Sequence, residues 1–169
     1  MNNWIKNLTL EEKKALYKYQ TDEIYGRLNS GLRNGSLDSD LVDEVKNLDS
    51  AIEKGIVDDE TQLYRAFTKE DLIENWAEIE KGNEYIFQDG AYISTSTDPS
   101  KAEMFAMLNE DDGIFAYVKV KNVDGANIGA MKMSTIDESE ILLERGLTCK
   151  ITKAWEETGM KYVEMEVSK

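Results

Sequence analysis

The spacing of apolar positions changes once along the chain. From Thr9 to about Lys54 they recur at helical steps, and from Gln62 onward short apolar runs and alternation take over. Thr9 followed by Glu12 has the form of a capping box, which predicts a helix through LEEKKALYKYQ. Leu10, Leu16 and Tyr17, then Ile24 and Leu28, keep an approximate helical spacing. RLNSGLRNG reads as a second helical segment stopped by Gly35. Leu37, Leu41, Val45, Leu48 and Ile52 then repeat at three- and four-residue steps, an amphipathic helix with one face for a core.

The second half reads as strands. TQLYRAF is a short apolar run with an arginine in its middle, and GAYISTST rises from a glycine and ends at the Asp98-Pro99 turn signal. Ser100 is the expected cap of a helix through KAEMFAML. IFAYVKVKN, LTCKITKAW and KYVEMEV alternate, each with one face suited to burial. The sum is an α+β domain over residues 1–169, with a helical segment at 1–58 layered on an antiparallel or mixed β core at 59–169.

Composition narrows the chemistry. The 169 residues suffice for one domain with a real core, and 41% hydrophobic with 32% charged residues is a globular balance. Cys149 is the only cysteine and histidine is absent, so an internal disulfide and a thiolate metal cluster are excluded. Zinc and haem sites and Ser-His or Cys-His nucleophiles lose their usual parts, and no metal is expected. Catalysis would have to rest on carboxylates, hydroxyls and arginines. A formal charge of −14 argues against nucleic acid and against an anionic membrane surface. It suits a solubilising surface, or steering toward a basic partner. No stretch has the apolar length of a membrane span, and MNNWIKNLTLEEKK lacks the marks of a secretory signal. The expectation is a cytoplasmic monomer, or an effector delivered into a target cell by another route.

Three polar sites interrupt the strand pattern: Arg65 in LYRAF, Ser94-Thr95-Ser96 in YISTST, and Glu138 with Glu140 in DESEILLERG. A buried arginine requires an anion or a carboxylate, so Arg65 is either a ligand clamp or half of an ion pair. A Ser-Thr-Ser run fills a strand or binds a ligand through its hydroxyls. Residues two apart in an extended segment face the same way, so Glu138 and Glu140 can share a cleft. Glu-x-Glu recurs at Glu78/Glu80 and at Glu164/Glu166, the latter a solvated strand face alternating with Val163, Met165 and Val167.

In order and context these residues resemble the arginine–serine–glutamate class of mono-ADP-ribosyltransferases, which contains clostridial and bacillar toxins. Tyr64-Arg65 matches the aromatic-Arg pair on the first core strand, AYISTST the Ser-Thr-Ser strand, and ESEILLERG the Glu-x-Glu that precedes an apolar strand. EEKKALYKYQTDEIYGRLNSGLRNG matches the family's helical segment, so the likeness runs from about Leu10 to the C-terminus. It implies a two-sheet core and NAD⁺ as substrate. It also implies that Glu140 stabilises the cationic ribose, Ser94 orients Glu140, and Arg65 and Arg33 clamp the phosphates, with Tyr25 and Asn29 as further NAD⁺ contacts. Glu138, first of the Glu-x-Glu pair, implies arginine on a target protein as the acceptor. Two departures concern the target: GANIGAMKMSTID has no aromatic residue, only Met131 and Met133, and Glu144 stands where relatives often have proline.

Overall fold

A computed structural model describes residues 4–20, 22–67, 70–108, 113–131 and 139–169. Helix α1 (Leu10–Tyr19) opens with the expected capping box: Thr9 accepts from the Glu12 backbone N–H, and the Glu12 carboxylate accepts from the Thr9 N–H. Helix α2 (Asp22–Asn34) ends as its glycine foretells. Gly35 sits at φ 68° and Ser36 N–H donates back to Gly31 O, the Schellman arrangement. Helix α3 (Val42–Glu53) buries Val45, Leu48, Ala51 and Ile52 on one face.

Strand β1 (Leu63–Phe67) is followed by two short helices, α4 (Glu70–Glu74) and α5 (Trp76–Glu80), and by β2 (Tyr85–Asp89). Next come β3 (Ile93–Ser96), helix α6 (Pro99–Leu108), β4 (Ile114–Lys121) and the two-residue β5 (Gly125–Ala126). β6 (Glu140–Leu143), β7 (Leu147–Glu157) and β8 (Met160–Ser168) complete the core. The α+β class and the helical N-terminal layer are as the sequence pattern predicts. The cap of α6 is a correction. Asp98, not Ser100, accepts from the Ser100 N–H and hydroxyl, with Pro99 at the first helical position where its missing N–H costs nothing.

The strands form one eight-stranded ladder in the order β2-β7-β8-β4-β1-β3-β6-β5, antiparallel except where β4 runs parallel to β8. A single register pair, Tyr64 opposite Ser96, joins β1 to β3. Where two sheets are expected, the structure has one continuous sheet whose two halves are joined through that pair.

β3 and β6 are buried on both faces. Ile93, Ile141 and Leu143 enter a core shared with α4, α5 and the inward residues of β4, β7 and β8. Tyr92 and Leu142, one position out of phase, enter a second core under α1, α2 and α3. Burial on two packed faces explains why Ile141, Leu142 and Leu143 of β6 run apolar without a break. The Glu164/Glu166 face is exposed while Val163, Met165 and Val167 are buried, as their alternation predicts.

Candidate active site

The junction of the two halves opens a cleft of about 810 Å³. Its walls come from α2 (Tyr25, Arg33), β1 (Arg65, Phe67), the end of β2 (Asp89), β3 (Ser94, Ser96), α6 (Lys101, Phe105) and the start of β6 (Glu140). Residues from widely separated parts of the sequence thus meet where β1 parts from β3.

Arg65 fills that parting. After the pair Tyr64–Ser96 the two strands diverge, and Arg65 Nη1 donates to Ser94 O at 2.7 Å in place of a ladder partner. Its guanidinium also lies 4.9 Å from the Phe67 ring centroid. Its Nε is buried with no hydrogen-bond partner. Burial pulls the Arg65 pKa below the ordinary arginine value, opposed chiefly by the negative charge of Asp89. A buried cation with an unsatisfied donor fits a ligand anion such as a phosphate.

Arg33, in the last turn of α2, is held against Asp89: Nε donates to Oδ1 at 3.1 Å and a terminal nitrogen to Oδ2 at 3.3 Å. Asp89 also accepts from the Ala91 N–H, fixing the turn after β2. That turn passes so close to α2 that a side chain on Gly90 would meet Leu32 O at 3.0 Å, so only glycine lets Asp89 reach Arg33 without displacement.

On β3 and β6, Ser96 lies opposite Glu140 and Ser94 opposite Leu142, which makes Ser94 and Glu140 diagonal neighbours on one face. Glu140 is half-buried. The Ser96 hydroxyl accepts from the Asp98 N–H and so belongs to the turn before α6. Thr95 points the other way and donates to Ile141 O at 2.7 Å.

Of the residues singled out from sequence, Arg33, Arg65, Ser94, Glu140 and Tyr25 line one cleft. Asn29 lies behind it. It is 3% exposed and donates through Nδ2 to the Tyr19 hydroxyl, whose ring stacks edge-on with Tyr25. Glu138 and Met133 lie outside the described residues. Met131 is partly buried against the helical core. Glu144 accepts from the Asp124 N–H at 2.7 Å, and burial raises its pKa.

Sequence reading overlooked the β2 contribution, namely Phe87, Gln88 and Asp89, together with Lys101 and Phe105. EYIFQDG does carry a signal, since Tyr85 and Phe87 alternate with exposed Ile86 and Gln88 before a glycine. Counting the described ionisable lining residues, Arg33, Arg65 and Lys101 outnumber Asp89 and Glu140. Among these described residues the balance is one positive charge, in a chain of net charge −14.

A helical N-terminal layer on a mixed sheet is also the fold of ADP-ribosyltransferase toxins. The family model described as ADP-ribosyltransferase exoenzyme matches residues 1–169, and the chain belongs to that family. No curated protein matches the chain by sequence. Among solved structures it is similar to Plx2a, an ADP-ribosyltransferase toxin from Paenibacillus larvae, at 19% identity and TM-score 0.75, covering 99% of this chain and 89% of that one. An ADP-ribosyltransferase from Clostridium botulinum is 22% identical with TM-score 0.74, over 99% of this chain and 92% of that one. BECa, an ADP-ribosylating toxin of a C. perfringens binary enterotoxin solved with NADH, is 18% identical with TM-score 0.71. There the match covers 99% of this chain but 45% of BECa.

Proposed function

We propose that this chain transfers ADP-ribose from NAD⁺ to an arginine side chain of a protein, releasing nicotinamide. The observation that carries the reading is the convergence of Arg65, Ser94 and Glu140, with Arg33, on one cleft. Arg65 and Arg33 hold the pyrophosphate, Arg65 through the nitrogen that lacks a partner within the protein. Tyr25, on the α2 wall, contacts the bound NAD⁺, and Asn29 holds that wall from behind through Tyr19.

Glycosidic cleavage gives the bonding electrons to the pyridinium nitrogen, so nicotinamide departs neutral and the ribose becomes an oxocarbenium ion. Glu140 binds a ribose hydroxyl and stabilises that cation, oriented by its diagonal neighbour Ser94. A guanidine nitrogen of the target then bonds to the anomeric carbon and loses its proton. Glu138, two residues before Glu140 in ESEILLERG, orients the guanidinium and accepts that proton. The step uses no metal. The protein substrate bears an exposed arginine, and the chain acts on it as a monomer delivered into the cell that contains it.

Purified protein incubated with NAD⁺ and agmatine tests the reading. Wild type should release nicotinamide and label agmatine, and Glu140→Gln should lose both by roughly a hundredfold or more, the scale of losing an electrostatic stabiliser of the transition state. Glu138→Gln should lose agmatine labelling while nicotinamide release survives. Nicotinamide release by wild type without labelling of agmatine would make the chain an NAD⁺ glycohydrolase or direct it to another acceptor. No release under any condition would leave a binding protein.

A further inference from the structure

A second surface begins where the cleft ends. α6 lies on β1 and β4 through Ala102 and Ala106, and Phe105 faces the cleft. Its remaining apolar residues point outward: Met104 is 63%, Met107 56% and Leu108 78% exposed. Beside α6, the outer face of β1, β4, β8 and β7 carries a ladder of half-buried rings. Tyr64 is paired in register with Tyr117, and Trp155 with Tyr162. Trp155 stacks on Tyr162 at 5.4 Å and on Tyr117 at 6.1 Å between centroids. Tyr64 belongs both to this ladder and to the cleft wall, so the two surfaces are continuous.

The chemistry of the ladder favours cations. Lys153 Nζ already lies 4.9 Å from the Trp155 centroid. Glu157, two residues after Trp155 on β7, shares its face, and Glu103 is exposed on α6. Flat aromatic faces edged by carboxylates suit guanidinium groups, whose planes stack on rings while their N–H groups meet acids. Methionines on α6 adapt to the aliphatic stems of long basic side chains. The acidic chain would in addition draw a basic polypeptide toward this face.

We infer that the face formed by α6 and the Tyr117–Trp155–Tyr162 ladder docks the basic polypeptide segment that flanks the acceptor arginine of the target protein. This rests on the arginine-transfer reading above. Docking there places the acceptor at the cleft mouth past Tyr64 and Phe105, and it makes an arginine in basic surroundings a better substrate than a free guanidino compound.

Agmatine and poly-L-arginine as alternative acceptors separate the two ideas, because only the polymer reaches both cleft and ladder. Wild type should show a KM per arginine at least about tenfold lower for the polymer. The exposed-site double variant Glu103→Lys/Met107→Lys should raise the polymer KM by about tenfold, with agmatine kinetics and nicotinamide release unchanged. Trp155→Ala should act in the same direction. An unchanged polymer KM in the double variant overturns the proposal. So does a wild-type dimer in sedimentation that the double variant dissociates, since the face would then belong to a second copy of the chain. Nicotinamide release without labelling of either acceptor would instead remove the arginine-transfer reading, and this inference with it.

Discussion

The Arg65 guanidinium donates to Ser94 O through one terminal nitrogen and keeps a buried Nε without a partner inside the protein. Lysine at this position retains the charge but has neither the planar fork nor the second donor direction. Arg65→Lys is therefore expected to raise the KM for NAD⁺ by about tenfold or more, and to cost ~1–3 kcal/mol of stability as Ser94 O loses its donor. Nicotinamide-release kinetics and urea unfolding read the two effects separately. A variant with wild-type KM would place the phosphates elsewhere. Asp89 matters for the opposite reason: its bidentate hold fixes Arg33 at the end of α2, and its negative charge supports the ionised form of buried Arg65.

At the scale of elements, Glu12 joins two helices. Only 2% exposed, its carboxylate closes the capping box of α1 and accepts from Lys54, the C-cap residue of α3. Burial alone would raise its pKa, but the Lys54 hydrogen bond and the bonds with Thr9 outweigh it, leaving the pKa below 4.5. A depressed folded-state pKa gives stability that is complete above the unfolded value and is lost as pH falls through the folded one. Glu12→Gln should thus cost about 1 kcal/mol at neutral pH, and that difference should shrink below about pH 4. Urea midpoints of both proteins between pH 7 and pH 3 check it, and a gap that widens on acidification would contradict the assignment.

Much of this layer is legible in the residues. The Thr9–Glu12 box, the Gly35 stop and the alternation of β4, β7 and β8 are local signals, and each is realised. What escaped depends on long-range packing. β2 pairs only with β7, more than fifty residues later in the chain, so nothing near EYIFQDG reveals that Asp89 will meet Arg33. Asp98 outcompeted Ser100 as a cap because Pro99 fills the first helical position. Arg65, Ser94 and Glu140 were visible as polar breaks in apolar runs, but only the divergence of β1 from β3 brings them around one cleft.

The whole molecule has a single thiol, and Cys149 is 1% exposed in the larger core beside Ile151 and Val167. Its reaction with a disulfide reagent should be slow in the native protein and should rise in step with urea unfolding followed by tryptophan fluorescence. Fast labelling of native protein would mean that this core opens without global unfolding. The contrast between a cleft holding two arginines and a chain of charge −14 has its own consequence. NAD⁺ approaches against a long-range repulsion that salt screens, whereas a basic acceptor is attracted, so added salt should affect the two KM values in opposite directions.

The bond from Arg65 to Ser94 O also governs how an inert control protein should be made. On the proposed role, a substitution at Arg65 removes a ligand contact together with a tie between two strands, so any phenotype it produces in cells mixes lost activity with lower abundance. Glu140→Gln keeps size and strand pairing with Ser96. On the proposed roles, a toxicity comparison built on Glu140→Gln therefore separates chemistry from abundance better than one built on Arg65.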